Sequence, residues 1–257
     1  MQLTLYGTGF CAPSPNKPLR SYSGWGIEIG DSYLLFDMGG GVLHKMLSSG
    51  MDIFVKPTHI FITHHHIDHN VDLIQFMQGR CVETRNRKLE KVLVNVPPSV
   101  QDIMLNVWKL YKEDFKLEDV FSIQSINDGT VIASSDFKVT TSRIKHTADS
   151  LAYRLDFSDK SIVYSGDMGY DETICELGRN ADIAILECSF PDKKSLIGNH
   201  LCPEDIGNLA KIGGFKKVVL THIGPQCVGR EEEMIATIKN IANCEVIVGE
   251  DMMRIEV

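Results

Sequence analysis

Short runs of apolar residues, each ended by turn residues, recur along the whole chain and predict many β-strands. The predicted strands of the first half cover residues 2–6, 22–29, 32–37, 59–63 and 91–96. Those of the second half cover residues 131–133, 137–144, 151–157, 161–164, 184–186, 218–220 and 246–248. Apolar positions three or four residues apart predict helices over residues 42–47, 71–77, 100–111, 203–212 and 231–241.

The order of these elements predicts an α/β fold with four layers. Strands fill both halves of the chain, and helices alternate with them most clearly in the last third. Because sheets and helices bury their apolar faces against one another, two packed sheets with helices outside are expected, which is an αββα sandwich. No low-complexity stretch or linker rich in Gly, Ser or Pro divides the chain, so we predict a single domain over residues 1–257.

Charge and composition narrow the partners that the chain can have. With 26 basic and 34 acidic residues the net charge is −8, which disfavours binding of long nucleic acid through a broad basic face. No apolar run is long enough to cross a membrane, and the first residues lack the basic start and apolar stretch of a signal peptide. We therefore expect a cytoplasmic protein without membrane contact.

The strongest chemical signal is a histidine-rich motif at the end of the predicted strand 59–63. Within it, His64, His66, Asp68 and His69 follow the pattern H-x-H-x-D-H. Imidazole and carboxylate groups suit zinc, manganese and iron. Four ligands so close in sequence cannot all reach one ion comfortably, so the motif predicts two neighbouring metal ions.

Further ligands for two ions occur singly, each where a predicted strand ends. These residues are His146, Asp167 and His222, and Asp167 belongs to a Ser-Gly-Asp turn. Binding and catalytic groups of layered α/β proteins gather where strands end and loops begin. We therefore expect these three residues to join the histidine motif at one site.

Five ordered motifs make the chain similar to the metallo-β-lactamase superfamily, and within it to the branch of ribonuclease Z and related phosphodiesterases. Gly7-Thr8-Gly9 resembles the opening of the family, and the resemblance covers nearly the whole chain. The motifs are Leu35-Phe36-Asp37 with the glycines after it, His64-x-His66-x-Asp68-His69, His146 with residues 150–154 after it, Ser165-Gly166-Asp167, and Leu220-Thr221-His222. The resemblance implies the metallo-β-lactamase fold, whose αββα layers agree with the predicted elements.

The resemblance also implies a dinuclear metal site with a role for each ligand. The implied sets are His64, His66 and His146 for the first ion, Asp68, His69 and His222 for the second, and Asp167 as the bridge between them. A hydroxide between the ions would be the nucleophile. Asp37 is not a ligand in the family, and we expect it to orient the ligands from behind.

A proton-transfer pair is the other implication of the resemblance. The segments 186–190 and 199–201 resemble the branch in which a glutamate and a histidine serve this step, so Glu187 and His200 join Asp68 as catalytic candidates. A carboxylate that holds an imidazole keeps it protonated and aimed. The alternative is that His200 merely precedes a helix and that Glu187 is an ordinary acid at a strand end.

One departure from the family bears on the substrate. Ribonuclease Z proteins usually carry a long arm that grips transfer RNA between the third and fourth motifs, whereas only residues 147–166 separate His146 from Asp167 in this chain. The resemblance therefore supports phosphodiester chemistry better than it supports transfer RNA as the substrate. Arg20 and Arg154 are candidate phosphate contacts, with structural ion pairs as the alternative.

The predicted function is hydrolysis of a small or short phosphodiester, such as a cyclic nucleotide or a short oligonucleotide, with two divalent metal ions as cofactors. Zinc is the expected metal, with manganese or iron as alternatives. Three other functions remain open: a ribonuclease Z-like RNA endonuclease, a thioester or lactone hydrolase of the same superfamily, and a metal-binding protein without hydrolase activity. The oligomeric state is also open, a homodimer included.

Overall fold

A computed structural model of the protein describes residues 1–111 and 116–257. The strands are β1 (Gln2–Gly7), β2 (Gly24–Ile29), β3 (Ser32–Phe36), β4 (His59–Phe61), β5 (Val92–Val96), β6 (Phe121–Ser125), β7 (Val131–Ala133), β8 (Lys138–Arg143), β9 (Leu151–Phe157), β10 (Lys160–Tyr164), β11 (Ile183–Glu187), β12 (Lys217–Thr221), β13 (Glu245–Val248) and β14 (Arg254–Glu256). The helices are α1 (Val42–Ser48), α2 (Ile67–Glu83), α3 (Pro98–Trp108), α4 (Thr173–Leu177), α5 (Pro203–Gly213) and α6 (Glu231–Ile241), with a short 3-10 helix at Leu117–Asp119.

The strands form two seven-stranded sheets with the same internal arrangement. The first sheet has the order β14-β1-β2-β3-β4-β5-β6, and the second has the order β13-β12-β11-β10-β9-β8-β7. In each sheet, three antiparallel pairs occupy one half and three parallel pairs the other. Residues 254–256 of β14 pair with residues 2–4 of β1, so strands from both ends of the chain share one sheet.

Aromatic side chains fill the space between the two sheets. Trp25 stacks on Phe36 with ring centroids 4.3 Å apart, and both rings contact the second sheet, Phe36 at Tyr153 and Trp25 at Tyr164. Helices α1, α2 and α3 bury apolar residues against the first sheet, and α4, α5 and α6 against the second. The predicted αββα sandwich is therefore confirmed. Among the described residues, no helix has both the length and the apolar character needed to cross a membrane.

Most predicted elements agree with the structure to within two residues, but four of the described elements were not predicted. They are β6, α4, β14 and the short 3-10 helix. The prediction that residues 246–248 form the last strand is wrong, because β14 follows at the edge of the first sheet. Only Ile255 of β14 is buried, so this strand offers too few apolar residues to be recognised from its sequence.

Part of the histidine motif is helical, although the predicted helix over residues 71–77 did not include that part. Helix α2 begins at Ile67, so Asp68 and His69 lie in its first turn. The Asn70 side-chain amide donates to the carbonyl oxygen of His66 at 2.7 Å and holds the turn that enters the helix. A carboxylate in the first turn is also favoured by the positive end of the helix dipole.

Left-handed backbone conformations follow three of the parallel strands. Asp37 after β3, Gly166 after β10 and His222 after β12 have φ values of 59°, 57° and 54°. Residues other than glycine seldom adopt this conformation, and it turns the chain sharply as it leaves the sheet. These turns bring the side chains of Asp37, Asp167 and His222 to one edge of the sandwich.

The turn at Gly166 gives a prediction about stability. A Cβ atom on Gly166 would lie 2.7 Å from the Cβ and Cγ2 atoms of Thr63, whereas one on Gly129, whose φ is 71°, would have no atom within 4 Å. We expect Gly129→Ala to lower the free energy of unfolding by about 1–2 kcal/mol through backbone strain. Gly166→Ala should lower the free energy of unfolding by roughly 1–3 kcal/mol more than Gly129→Ala does, because Thr63 must also move. Equal losses in urea unfolding would show that this close contact is unimportant.

Candidate metal centre

The seven predicted ligands lie together at one edge of the sandwich. They follow the carboxyl ends of β4, β10 and β12, occupy the first turn of α2, and lie in the loop after β8, and they are His64, His66, Asp68, His69, His146, Asp167 and His222. In α/β folds, ligands bind outside the carboxyl ends of the parallel strands. The residues divide into two groups that share Asp167.

The first group consists of His64, His66, His146 and Asp167, whose ligand atoms lie within 4.8 Å of one another. The Nε2 atoms of His64 and His146 are each 3.8 Å from Asp167 Oδ2. His146 Nδ1 donates to the carbonyl oxygen of Asn199 at 2.9 Å. Since Nδ1 carries the proton in this tautomer, Nε2 of His146, 3.2 Å from His66 Nδ1, has a lone pair that can bind a cation.

The second group consists of Asp68, His69, Asp167 and His222, and faces the other oxygen of Asp167. His69 Nε2 is 3.1 Å and His222 Nε2 is 3.3 Å from Asp167 Oδ1. His222 Nε2 is also 3.2 Å from Asp68 Oδ2. The two oxygens of Asp167 thus face one group each, which is the geometry of a carboxylate placed between two sites.

Three buried polar atoms of these groups have no hydrogen-bond partner within the described part of the chain. They are His64 Nε2, His69 Nε2 and Asp167 Oδ1. Buried polar atoms are almost always hydrogen-bonded, because leaving them without a partner costs free energy. Imidazole nitrogen and carboxylate oxygen are preferred ligands of zinc and similar ions. The donor set therefore fits divalent cations at both groups.

The protonation states within the groups follow from burial and charge. Burial holds the pKa of His64 well below its ordinary value, so its imidazole is neutral. Burial also opposes protonation of His69, but the carboxylates of Asp167 and Asp37 outweigh it and raise the pKa of His69 well above its ordinary value. Burial opposes ionisation of Asp167, yet the imidazoles of His222 and His69 hold its pKa well below the ordinary range. Asp167 is therefore a carboxylate.

Asp37 lies behind His69, where the sequence predicts it, and belongs to neither ligand group. Its carboxylate is fully buried and accepts a hydrogen bond from His69 Nδ1 at 2.7 Å. The Tyr164 hydroxyl donates to it at 2.7 Å, and the backbone N–H and hydroxyl of Thr63 donate at 2.8 and 3.0 Å. These bonds fix the His69 ring with Nε2 directed at Asp167.

Glu187 and His200 form a hydrogen-bonded pair beside the second group. His200 Nδ1 donates to Glu187 Oε1 at 2.8 Å, and the backbone N–H of Met168 donates to the same oxygen at 2.8 Å. Burial opposes protonation of His200, but the hydrogen bond and negative charge of Glu187 outweigh it and raise the pKa of His200. The bond to Glu187 engages Nδ1, and Nε2 is the other ring nitrogen of His200.

Two residues at the site were missed by the sequence analysis. The Ser189 hydroxyl donates to Glu187 and lies 2.8 Å from His222 Nδ1, so it links the two. Its position two residues after Glu187 was a usable signal, because such residues share one side of an extended chain. Phe10 also reaches the site, with its ring centroid 5.0 Å from that of His222.

Neither candidate phosphate contact reaches the ligand groups. Arg20 donates to Thr8 Oγ1 and to the carbonyl oxygen of Gly249, and Arg154 pairs with Asp156. Arg154 therefore forms the structural ion pair that was the alternative, and Arg20 is held by structural hydrogen bonds instead of an ion pair. Strands β9 and β10 pair as a hairpin joined by residues 158–159, which leaves no long arm between His146 and Asp167.

Comparison with known proteins agrees with this geometry. The ribonuclease Z of Methanothermobacter thermautotrophicus is 24% identical in an alignment that covers 100% of this chain and 97% of that protein. The crystal structure of YhfI, a metallo-β-lactamase fold protein from Bacillus subtilis, superimposes with a TM-score of 0.83 at 22% identity and covers 100% of this chain and 99% of YhfI. A diphosphatase of the PhnP family superimposes with a TM-score of 0.76 at 16% identity, and the superposition covers 100% of this chain and 97% of that protein.

Residues 34–223 match the family model described as beta-lactamase superfamily domain. The matched segment spans most of the chain and contains every one of the seven predicted ligands. These relatives and the matched family model confirm the predictions of a ribonuclease Z-like protein and of a metal-dependent hydrolase. The chain therefore belongs to the beta-lactamase superfamily, as a member with the metallo-β-lactamase fold.

Proposed function

We propose that the protein is a phosphodiesterase with two divalent metal ions that hydrolyses small or short phosphodiesters, such as cyclic nucleotides or short oligonucleotides. The observation that carries the proposal is that two ligand groups share Asp167 while the Glu187–His200 pair lies directly beside them. We also propose that residues 1–257 form one domain, since β14 and β1 pair within a single sheet.

Each of the seven residues has a role as a ligand in this proposal. The first cation would be held by His64, His66 and His146, the second by Asp68, His69 and His222, and both by Asp167. Bound there, the cations would lower the pKa of a nucleophilic water and neutralise charge on the phosphoryl oxygens. Asp37 would keep Nε2 of His69 aimed at the site through its bond to Nδ1.

His200 is the proposed proton donor for the leaving group. As the oxygen of a water that has released one proton to solvent bonds to phosphorus, the phosphorus–oxygen bond to the leaving group breaks and the proton of His200 Nε2 passes to the leaving oxygen. A linear diester gives a phosphate monoester and an alcohol, and a cyclic nucleotide gives one product that carries both groups. Glu187 is fully buried and holds Nδ1 of His200, so it stabilises the protonated ring and fixes its direction.

Several observations favour a small substrate over transfer RNA. Ribonuclease Z relatives make RNA cleavage the second candidate function. The hairpin of β9 and β10 has no room for an arm, and Arg20 and Arg154 are engaged in structural bonds. The net charge of −8 also opposes a long polyanion. A short phosphodiester needs neither an arm nor a basic face.

Metal removal tests the proposed class of reaction. We expect chelator-treated protein to lose hydrolysis of bis(p-nitrophenyl) phosphate and to regain it with zinc or manganese, with two ions bound per chain. Asp68→Ala should bind fewer ions and stay inactive after reloading.

A thioester and a lactone are assayed in parallel with precursor transfer RNA. If only the thioester or lactone is hydrolysed, the phosphodiester substrate is wrong; cleavage of the precursor at a faster rate than short diesters favours the RNA endonuclease.

The orienting role of Asp37 can be tested by metal affinity. Asp37→Asn keeps the shape of the side chain but weakens its bond to His69, so we expect metal affinity to fall about 10- to 100-fold. Competition with a chromogenic chelator measures this, and urea unfolding of the metal-free protein separates it from a loss of stability. Asp182→Asn is the matched control, since its carboxylate accepts bonds from Ser161 and Lys216 outside the ligand groups. Equal affinities of the two variants would refute the role.

Leaving groups of different quality test His200 as the proton donor. Expulsion of an alkoxide needs a proton, whereas p-nitrophenolate leaves readily without one. We therefore expect His200→Ala to reduce kcat on a dinucleoside phosphate by about 10²-fold or more and to affect bis(p-nitrophenyl) phosphate much less. Glu187→Gln should show the same selectivity in weaker form, and His44→Ala, an exposed histidine of α1, is the control. Uniform losses on both substrates would contradict proton donation.

A further inference from the structure

An apolar cavity of about 400 Å³ lies beside His200 and is used by neither ligand group. Its apolar walls include Phe10, Phe190, Ile197 and Pro225, and its polar lining residues are Ser189, His200 and Gln226. We propose that this cavity binds the leaving group of the phosphodiester and selects an uncharged leaving group that carries an aromatic ring. This inference rests on the proposed phosphodiesterase function and names the class of substrate.

The position of His200 determines which part of the substrate enters the cavity. A proton donor must come within hydrogen-bond distance of the leaving oxygen. Because His200 forms part of the cavity wall, the group attached to that oxygen extends into the cavity. On this proposal, the part of the substrate that keeps the phosphate would stay at the ligand groups, outside the cavity.

The walls suit a flat aromatic ring. The Phe10 ring meets those of Phe190, His200 and His222 at angles of 69°, 71° and 69°, with centroids 6.1, 5.7 and 5.0 Å away. Rings arranged edge to face leave aromatic faces and edges against which another ring can pack. At the mouth, Ile197 is 68% exposed, and a bound ring would cover its side chain. A volume of this size is within the range of small-molecule sites.

Charge excludes a leaving group that bears a further phosphate. Among the described residues that line the cavity, His200 is the only one that can carry positive charge. Lys193 pairs with Asp205 and Arg230 with Asp192, and Lys17, in the adjoining pocket that shares Phe10 and Pro225, donates to the carbonyl oxygen of Val228; none of these three cations lines the cavity. A second phosphate would lose its hydration without gaining a partner, which is unfavourable. A nucleoside fulfils both conditions, because it is aromatic and uncharged.

Binding to the metal-free protein tests the cavity independently of hydrolysis. Adenosine is the probe, and ribose is the comparison probe because it lacks the aromatic base. Binding is measured by titration calorimetry and by chemical shifts. We expect adenosine to bind and ribose to bind much more weakly. Phe10→Leu keeps an apolar side chain but removes the aromatic ring, so it should weaken the binding of adenosine about tenfold through lost stacking. Equal binding of adenosine and ribose would overturn the selection for an aromatic ring.

A charged substitution at the mouth tests the location. Ile197→Asp should weaken adenosine binding and, in the metal-loaded enzyme, lower kcat/KM for a dinucleoside phosphate at least fivefold. The loss of kcat/KM for the dinucleoside phosphate should exceed the loss for the nucleoside methyl phosphate, in which methanol leaves, by at least threefold. Ile212→Asp is the matched control, because Ile212 is 48% exposed on α5 and lies outside the cavity lining.

The outcomes separate the two proposals. If Ile197→Asp and Ile212→Asp behave alike in binding and in kinetics, the leaving-group cavity is overturned even where the enzyme hydrolyses phosphodiesters. If adenosine binding depends on Phe10 and Ile197 but the metal-loaded protein hydrolyses no phosphodiester, the proposed function fails and the aromatic specificity of the cavity stands.

Discussion

The buried carboxylate of Asp167 is the group on which the arrangement of the candidate site depends. It is 2% exposed, and a buried carboxylate is costly unless opposite charges or donors surround it. His64, His69, His146 and His222 place nitrogen atoms within 3.8 Å of its two oxygens. These imidazoles come from both halves of the chain, so the carboxylate is accommodated only when the two sheets are packed together. The site and the sandwich therefore form cooperatively.

Backbone strain at the site is balanced by the same contacts that orient its side chains. Asp37 and His222 both hold left-handed conformations, with φ values of 59° and 54°. Such conformations cost on the order of 1–3 kcal/mol each and persist where the surrounding contacts outweigh them. For Asp37 these contacts are the bonds from Thr63, His69 and Tyr164, which come from the segment after β4, from α2 and from β10. The strained turn is thus held by three separate elements.

The residues of the two groups could be predicted from the sequence because local features reveal them, whereas other parts of the site depend on long-range pairing. Each ligand lies at the end of an apolar run or within the histidine motif, and Asp167 follows a glycine that permits the turn. Phe10 has no such signal. It reaches His222 because Gly9 pairs with Ile223, a contact between opposite ends of the chain. The edge strand β14 likewise exists only through its pairing with β1.

His200 and His222 lie together where the charged ligand groups meet the apolar cavity. Glu187 bonds to His200 directly and is linked to His222 through the Ser189 hydroxyl, while Phe10 packs against both rings. A group that fills the apolar side excludes water from the proton donor, and electrostatic interactions strengthen where water is excluded. A leaving group too small to fill it admits water that competes for the same proton. In the proposed mechanism, the fit of the leaving group in the cavity would therefore govern proton transfer from His200.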